Sequence, residues 1–299
     1  MPFNLILQLS VRNLFRYPRR NGLLLTAIAF ALAGATLTNS LMRGWQYDML
    51  DRAVENLVGH VKVQASEYRD DPNMAHSFVL PANYEPEISG MEVAGWAPRI
   101  KVPAVILSER QSRGVQLVGI DPARENISFY SELAFAGETL ADKDDGRIVI
   151  GAELARQLQT AVGRKLVVLS QGADGKNRER GFRIAGTFDA DGTSLEKAFA
   201  FTGLTSTQAF LGDRSSDSPR PLVTEVSVLL ADELRRNDAV TELRTAFPDK
   251  DVADWRALQP QVAEMFAMAD VAIYIIFGLM MGGLAFGLVT TLIAAVMER

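Results

Sequence analysis

The chain has 299 residues, of which 48% are apolar, a formal net charge of −5 and no cysteine. The acidic balance argues against nucleic acid as a partner, because a polyanion binds basic surfaces. Without cysteine the chain has no disulfide framework and no catalytic thiol. Two long stretches, 21–42 and 271–297, contain no Asp, Glu, Lys or Arg.

The first element in chain order is a predicted amphipathic helix. Residues 2–17, "PFNLILQLSVRNLFRY", combine apolar bulk with basic residues at helical spacing. Such a helix is expected to lie on membrane lipids at the cytoplasmic face, in a segment 1–20. Pro18 is expected to end it, and "RRNG" to turn the chain. Four residues form the predicted membrane interface, although generic membrane topology explains them equally well: Arg12, Arg16, Arg19 and Arg20.

The two uncharged stretches are predicted to be transmembrane helices. About 20 apolar residues are needed to cross the hydrocarbon core, whereas a buried core helix is usually shorter and has a polar face. The basic, acid-free start of the chain places the N-terminus in the cytoplasm. The acidic segment 43–270 then lies outside a bacterial cytoplasmic membrane, and the chain returns to the cytoplasm after 271–297.

The outer segment alternates strand-like and helix-like pieces. Period-two alternation predicts a strand at "HVKVQAS" (60–66). Strands are also predicted at "RIKVPAVIL" (99–107), "GVQLVGI" (114–120) and "TEVSVLLA" (224–231). A polar, glycine-rich hairpin turn is predicted at 171–181, and helices at 232–247 and 256–270. The fold class is therefore an α+β membrane protein, in which two transmembrane helices bracket a mixed α/β domain. In one division of the outer segment into two lobes, 43–110 and 220–270 form the first lobe and about 111–219 forms the second.

The second span contains two tandem small-residue pairs. Gly278 and Gly282 are four residues apart, as are Gly283 and Gly287. Glycines at this spacing let another helix backbone approach closely, although glycine is frequent in spans in any case. The first span carries a weaker version in Ala27, Ala31, Ala35 and Thr38.

Enzyme chemistry is not indicated by the residues. The two histidines, His60 and His76, lack metal-ligand spacing, so neither a metal nor a catalytic site is predicted. The "DADGT" segment at 189–193 lacks the distal ligand of a calcium loop and is expected to be a turn. No P-loop sequence is present, so no cofactor is expected in this chain and ATP is expected to be bound by a partner subunit.

Several segments together resemble a known family. "LSVRNLFRYPRRNGLLL" resembles the start of permease subunits of the FtsX/MacB-like ABC superfamily, and "GHVKVQASEYRDDP" resembles its lipoprotein-releasing LolC/LolE-type branch. "IVIGAELARQLQTAVGRKLVVLS" with "FRIAGTF" is similar to the extracytoplasmic domain of these permeases. "DWRALQP" and "AAVMER" resemble the approach to the second span and its end. The similarity covers essentially the whole chain, as the N-terminal portion of a four-span permease.

The resemblance implies a function and partners. The 43–270 segment would be a MacB-like periplasmic core domain, and 271–297 the start of an FtsX-like permease domain. The partners would be an ABC ATPase subunit, a second permease subunit in a homo- or heterodimer, and acylated lipoprotein cargo. ATP hydrolysis by the ATPase would move the outer domain.

Two other functions stay open at this point. A two-span sensor would also bracket an extracytoplasmic domain, and would continue into a signalling helix or kinase. A scaffold that regulates cell-wall enzymes, as in one branch of the same superfamily, would differ in its bound partner.

Overall fold

The computed structural model describes residues 18–55, 57–81, 84–86, 88–89, 92–212 and 221–297. They form two compact units, Met1–Asp51 with Gln261–Arg299, and Arg52–Pro260. In chain order the elements are α1 (Pro18–Glu55), β1 (Val61–Ala65), β2 (Phe78–Val79), β3 (Val93–Leu107), β4 (Ser112–Ile120), β5 (Ala134–Gly137), β6 (Ile148–Gly151), α2 (Ala152–Gln157), β7 (Lys165–Gln171), β8 (Asn177–Asp189), α3 (Leu195–Ala198), β9 (Phe199–Gly203), α4 (Leu204–Leu211), β10 (Leu222–Val223), β11 (Glu225–Leu230), α5 (Arg236–Ala246), β12 (Lys250–Asp254), α6 (Trp255–Leu258) and α7 (Pro260–Met297). Short 3-10 helices cover Pro122–Ile127, Phe129–Glu132 and Glu233–Arg235.

The first unit is a pair of long helices, α1 and α7. A small apolar space separates them, bounded by Ala35, Thr38, Asn39 and Met42 of α1 and Ile273, Ile276, Phe277 and Met280 of α7. Gln46 Nε2 donates a hydrogen bond to Asp270 Oδ1 at 3.1 Å. Thus α1 and α7 contact each other through apolar side chains and one polar bond, with Ala35 and Thr38 of the predicted small-residue face in the contact.

One segment of this unit, Pro260–Gly287, has the length and apolar composition of a membrane span among the described residues. It overlaps the predicted span 271–297. The other predicted span, 21–42, lies within α1, and its membrane insertion stays a prediction.

The second unit, the folded domain, contains a closed barrel. The barrel strands follow one another in the order β3, β4, β9, β6, β8 and β7, and β7 pairs back onto β3. Closure leaves no free sheet edge within this ring. Alternate residues such as Ile106, Leu117 and Val168 point inward and are completely buried.

The first half of β3 belongs to a second, four-stranded part of the sheet. There the order is β12, β1, β11 and β3, all antiparallel. The helix α5 covers this part, and Ala239 and Leu243 join Val61 and Val228 in its core. A third cluster, which includes Leu57, Val118 and Phe201, fills the space outside the barrel under the 3-10 helices. The long strand β3 therefore connects both parts of the domain.

The predicted mixed α/β class of the domain is confirmed. The predicted hairpin is present as β7 and β8, but its turn is shorter than the predicted 171–181, because β8 begins at Asn177 and pairs with β7 from there. The predicted turn at 189–193 is a turn, in which Asp191 and Gly192 have positive φ.

Three local predictions are corrected. Residues 19–22 are helical and continue into α1 instead of forming a turn, because a proline at the start of a helix is compatible with helical geometry. The strand predicted from residue 99 begins at Val93, since its first half pairs with β11. The helix predicted at 256–270 is interrupted at Gln259, and α7 begins at Pro260. The predicted helix at 2–17 lies outside the described residues.

Candidate functional site

The chain enters the folded domain through a left-handed backbone. Leu57 has φ of 64° and Gly59 has φ of 70°. A positive φ is costly for a leucine and persists only where the surroundings enforce it. The Leu57 side chain is 1% exposed and packs in the third core cluster with Val118 and Phe201.

Arg99, in the middle of β3, holds this entry segment. Its Nη1 donates to the Leu57 carbonyl at 3.0 Å and to Ser227 Oγ at 2.9 Å. The remaining donors bind Glu125, with Nε to Oε1 at 2.7 Å and Nη2 to Oε2 at 2.8 Å. Ser128 Oγ also donates to Glu125 Oε2, at 2.6 Å. One buried guanidinium thus ties together the entry segment, β3, β11 and a 3-10 helix.

A second buried ion pair lies beside the first. Lys62 Nζ is 2.9 Å from Glu225 Oε2, and Arg99 Nη1 is 3.9 Å from Glu225 Oε1. Burial lowers the pKa of Lys62 to about 8, although Glu225 opposes this change. Burial also acts to raise the pKa of Glu225, but Lys62, Lys101 and Arg99 together hold it below its ordinary value. Together with Glu125, this cluster contains two cations, Lys62 and Arg99, and two carboxylates, Glu125 and Glu225. Their charges cancel, which lowers the free-energy cost of burying them.

The chain leaves the domain beside the point where it enters. The backbone N–H of Trp255 donates to the His60 carbonyl at 3.2 Å. His60 Nδ1 accepts a hydrogen bond from the Leu230 amide at 3.0 Å, and Trp255 Nε1 donates to Glu233 Oε1 at 3.3 Å. Trp255 is 1% exposed. We call Leu57, His60, Arg99 and Trp255 the entry–exit anchor.

The anchor consists of groups inside the folded domain. Its charged groups are buried and paired, so a substrate cannot reach them from solvent. Within the described ranges, no group of three or more His, Cys, Asp or Glu side chains is arranged to hold a metal ion. The anchor fixes the entry segment through Arg99 and joins it to the exit segment through the hydrogen bond between His60 and Trp255.

The predicted packing glycines are placed on an open surface. Gly278, Gly282, Gly283 and Gly287 all lie on α7, and a Cβ built at any of them meets nothing within 4 Å. They therefore do not form the contact with α1, which uses Ile273, Ile276, Phe277 and Met280 instead. Their role in packing against a helix of another chain stays a prediction.

The predicted membrane-interface residues are only partly described. Arg12 and Arg16 lie outside the described residues, and Arg19 and Arg20 are in the first turn of α1.

Sequence reasoning missed Arg99 and its partners. Arg99 stands in "RIKVPAVIL", and Lys62 in "HVKVQAS", each a charge within an apolar strand. This is the signal that could have found them, because a charge in a strand buried on both faces needs a buried counter-charge. The sequence alone does not show which carboxylate is the counter-charge, because Arg99 and Glu125 are 26 residues apart and Lys62 and Glu225 are 163 residues apart.

Comparisons with known proteins give one family. The model of the MacB-like periplasmic core domain matches residues 22–246. No curated protein matches the sequence. The extracellular domain of the noncanonic ABC-type transporter YknZ from Gram-positive bacteria is 14% identical, with a TM-score of 0.44, covering 65% of this chain and 99% of that one.

Two further solved structures are similar at a comparable level. The periplasmic region of MacB from Actinobacillus actinomycetemcomitans is 9% identical, with a TM-score of 0.41, covering 68% of this chain and 92% of that one. A domain of a putative permease protein from Porphyromonas gingivalis is 19% identical, with a TM-score of 0.35, covering 62% of this chain and 83% of that one. At these TM-scores the three likenesses add nothing to the family match.

Proposed function

Because the chain belongs to the family of MacB-like periplasmic core domains, we propose that it is part of a permease subunit that works with a separate ATPase. Domains of this family are the extracytoplasmic domains of ABC-type transporter permeases, which are not enzymes themselves. The chain is therefore a membrane protein with an extracytoplasmic domain. The family match over 22–246 is the observation that carries the proposal.

In the proposed mechanism, ATP binding and hydrolysis by the partner ATPase move the helices, and the helices move the domain. The entry–exit anchor supports this role. A helix can transmit a displacement only to a part of the domain that does not yield, and a backbone segment fixed by a buried guanidinium and a buried Trp is such a part. The hydrogen bond between Trp255 and His60 links the two segments directly, which supports their moving together.

The proposed membrane arrangement has two spans, 21–42 and 271–297, with the N-terminus in the cytoplasm of a bacterium. Arg12, Arg16, Arg19 and Arg20 would face the inner lipid headgroups. The exposed glycines Gly278, Gly282, Gly283 and Gly287 would accept a helix of a second permease subunit, whether identical or related.

The proposed cargo is an acylated lipoprotein. This finer assignment rests on the resemblance of residues 59–72 to the lipoprotein-releasing branch.

The proposal is tested by isolating the chain from its own membranes in mild detergent. We expect a P-loop ATPase to be co-isolated, with ATP hydrolysis that vanadate inhibits. A matched preparation with the ATPase's P-loop Lys→Ala substitution should keep the assembly and lose hydrolysis. Co-isolation of a kinase, or of a cell-wall hydrolase without any ATPase, would favour the sensor or the scaffold and overturn the proposal.

A further inference from the structure

The outer face of the barrel carries a contiguous apolar patch. On β3 and β7, the residues that alternate with the core positions point outward, and three of them are 38% to 40% exposed. Barrel exteriors that face water normally present polar side chains at such positions. We call the four outward residues the outer patch: Val105, Leu107, Val167 and Leu169.

The strand register makes this patch compact and open at both sides. Leu169 lies opposite Val105, and Val167 lies opposite Leu107. The next residues across are Gly114, opposite Val105 on β4, and on β8 Gly181 and the exposed Glu179, opposite Val167 and Leu169. A Cβ built at either glycine meets nothing within 4 Å. On the Gly114 side the uncovered surface forms an open groove of about 610 Å³, lined by Pro103, Val105, Gly114, Gln116, Leu169, Gln171 and Asn177.

Two like charges stand directly opposite each other at one end of the patch. Lys165 on β7 pairs in register with Arg183 on β8, one row beyond Val167 and Gly181. Among the described residues no carboxylate forms an ion pair with either of them. Like charges in a cross-strand pair are destabilising, and an anionic group placed between them would remove that cost.

We propose that the outer patch and the Lys165–Arg183 pair form a docking surface for an acidic segment of another protein. Apolar side chains of that segment would pack on the outer patch and in the groove beside Gly114, and its carboxylate would bind between Lys165 and Arg183, at the end of the patch away from Glu179. An anionic membrane surface is the poorer fit, because a broad anionic surface would also meet the exposed Glu179 on the same outward face, whereas a single segment can place its carboxylate between the two cations alone. The proposal concerns a surface apart from the entry–exit anchor and does not depend on the permease function.

The test uses the full chain in the membranes of its own organism. A photoreactive p-benzoylphenylalanine is placed at Val105 or at Val167, and a matched control places it at Thr241, an exposed position on α5. After irradiation, mass spectrometry identifies what is cross-linked. We expect one protein to be cross-linked from both patch positions and not from Thr241, through a peptide that contains Asp or Glu beside apolar residues.

The charge part is tested in the same assay. The double substitution Lys165→Glu and Arg183→Glu is expected to reduce the cross-linked yield about tenfold. Exchanging the partner's carboxylate for Lys should then restore it. The double variant changes two exposed outward positions, and its unfolding midpoint is compared with that of the unmodified chain to verify that it folds.

Every other outcome overturns the proposal. Cross-linking only to lipid would assign the patch to the membrane, and cross-linking only to a second copy would assign it to self-association. Absence of any product, or a product that the charge reversal leaves unchanged, would show that the patch and the basic pair do not act together.

Discussion

The Leu57 carbonyl accepts a hydrogen bond from Arg99 Nη1 at 3.0 Å, across 42 residues of sequence. Leu57 is held in the left-handed region, with φ of 64°, and its side chain is buried. The bond and the burial together compensate a backbone conformation that a leucine otherwise avoids. The residue that joins α1 to the folded domain is therefore fixed by the interior of that domain.

The first prediction concerns the Arg99–Glu125 ion pair. Replacing Arg99 with Met leaves the Glu125 carboxylate buried without its counter-charge and removes the 3.0 Å hydrogen bond to the Leu57 carbonyl, which keeps the 3.4 Å bond from Ser227 Oγ. Loss of one partner of a buried pair costs about 3–5 kcal/mol of unfolding free energy. The double variant Arg99→Met, Glu125→Met should be less destabilised than Arg99→Met alone. Urea unfolding followed by Trp fluorescence measures both.

A surface ion pair provides the control for this experiment. Arg156 Nη2 is 2.7 Å from Glu153 Oε2, but the Arg156 side chain is 71% exposed. The Arg156→Met variant should change the unfolding free energy by less than about 1 kcal/mol. If Arg99→Met were equally mild, Arg99 would not be the fixing residue of the anchor.

The second prediction concerns pH and Lys62. The pKa of Lys62 is about 8 in the folded domain, below its ordinary value of 10.5, because burial penalises the charged amine. Between these two values the unfolded chain binds more protons than the folded one, so this group makes stability rise with pH from about 8 to about 10.5. The unfolding free energy of the unmodified chain minus that of the Lys62→Met variant should therefore increase with pH across this window. A difference that stays constant with pH would contradict the lowered pKa.

The sequence predicts more of the fold than of the entry–exit anchor. Apolar, strand-like segments located β1, β4 and β11, and in β1 the apolar residues alternate although both faces of that strand are buried. The first half of β3 escaped prediction, since "VAGWAP" contains Gly95 and Pro98, which are uncommon in strands. Gly95 is needed there, because a Cβ would lie 2.3 Å from Ile127 Cγ2.

The anchor could not be predicted for a different reason. Its contacts join residues far apart in the sequence, such as His60 with Trp255 and Lys62 with Glu225. Composition indicates that a buried charge needs a partner, but only the register of β1, β3 and β11 brings these groups together.

The third prediction concerns the independence of the folded domain. Arg52–Pro260 is a compact unit with its own hydrophobic clusters. Expressed without α1 and most of α7, it should be soluble and show a single cooperative unfolding transition. Circular dichroism and size-exclusion chromatography test this. An aggregated or unstructured product would show that the domain needs its helices to fold.

The fourth prediction concerns the exposed glycines of α7. The Gly282→Leu substitution introduces no clash within the chain, because a Cβ there meets nothing within 4 Å. It should instead block the close approach of a helix from a second subunit and reduce co-isolation of that subunit several-fold. Leu279→Ile, a nearby exposed position, is the control. Unchanged co-isolation in Gly282→Leu would remove the packing role of these glycines.

The central claim is that a partner ATPase moves the extracytoplasmic domain. The chain lacks cysteine, so Glu109→Cys provides a single attachment site for a nitroxide label on the exposed β3–β4 turn. In the co-isolated assembly of two labelled subunits, pulsed electron paramagnetic resonance measures the distance between the labels with and without ATP and vanadate. The account predicts that the distance distribution shifts when the nucleotide is trapped. An identical distribution in both conditions, from an assembly that hydrolyses ATP, would contradict it.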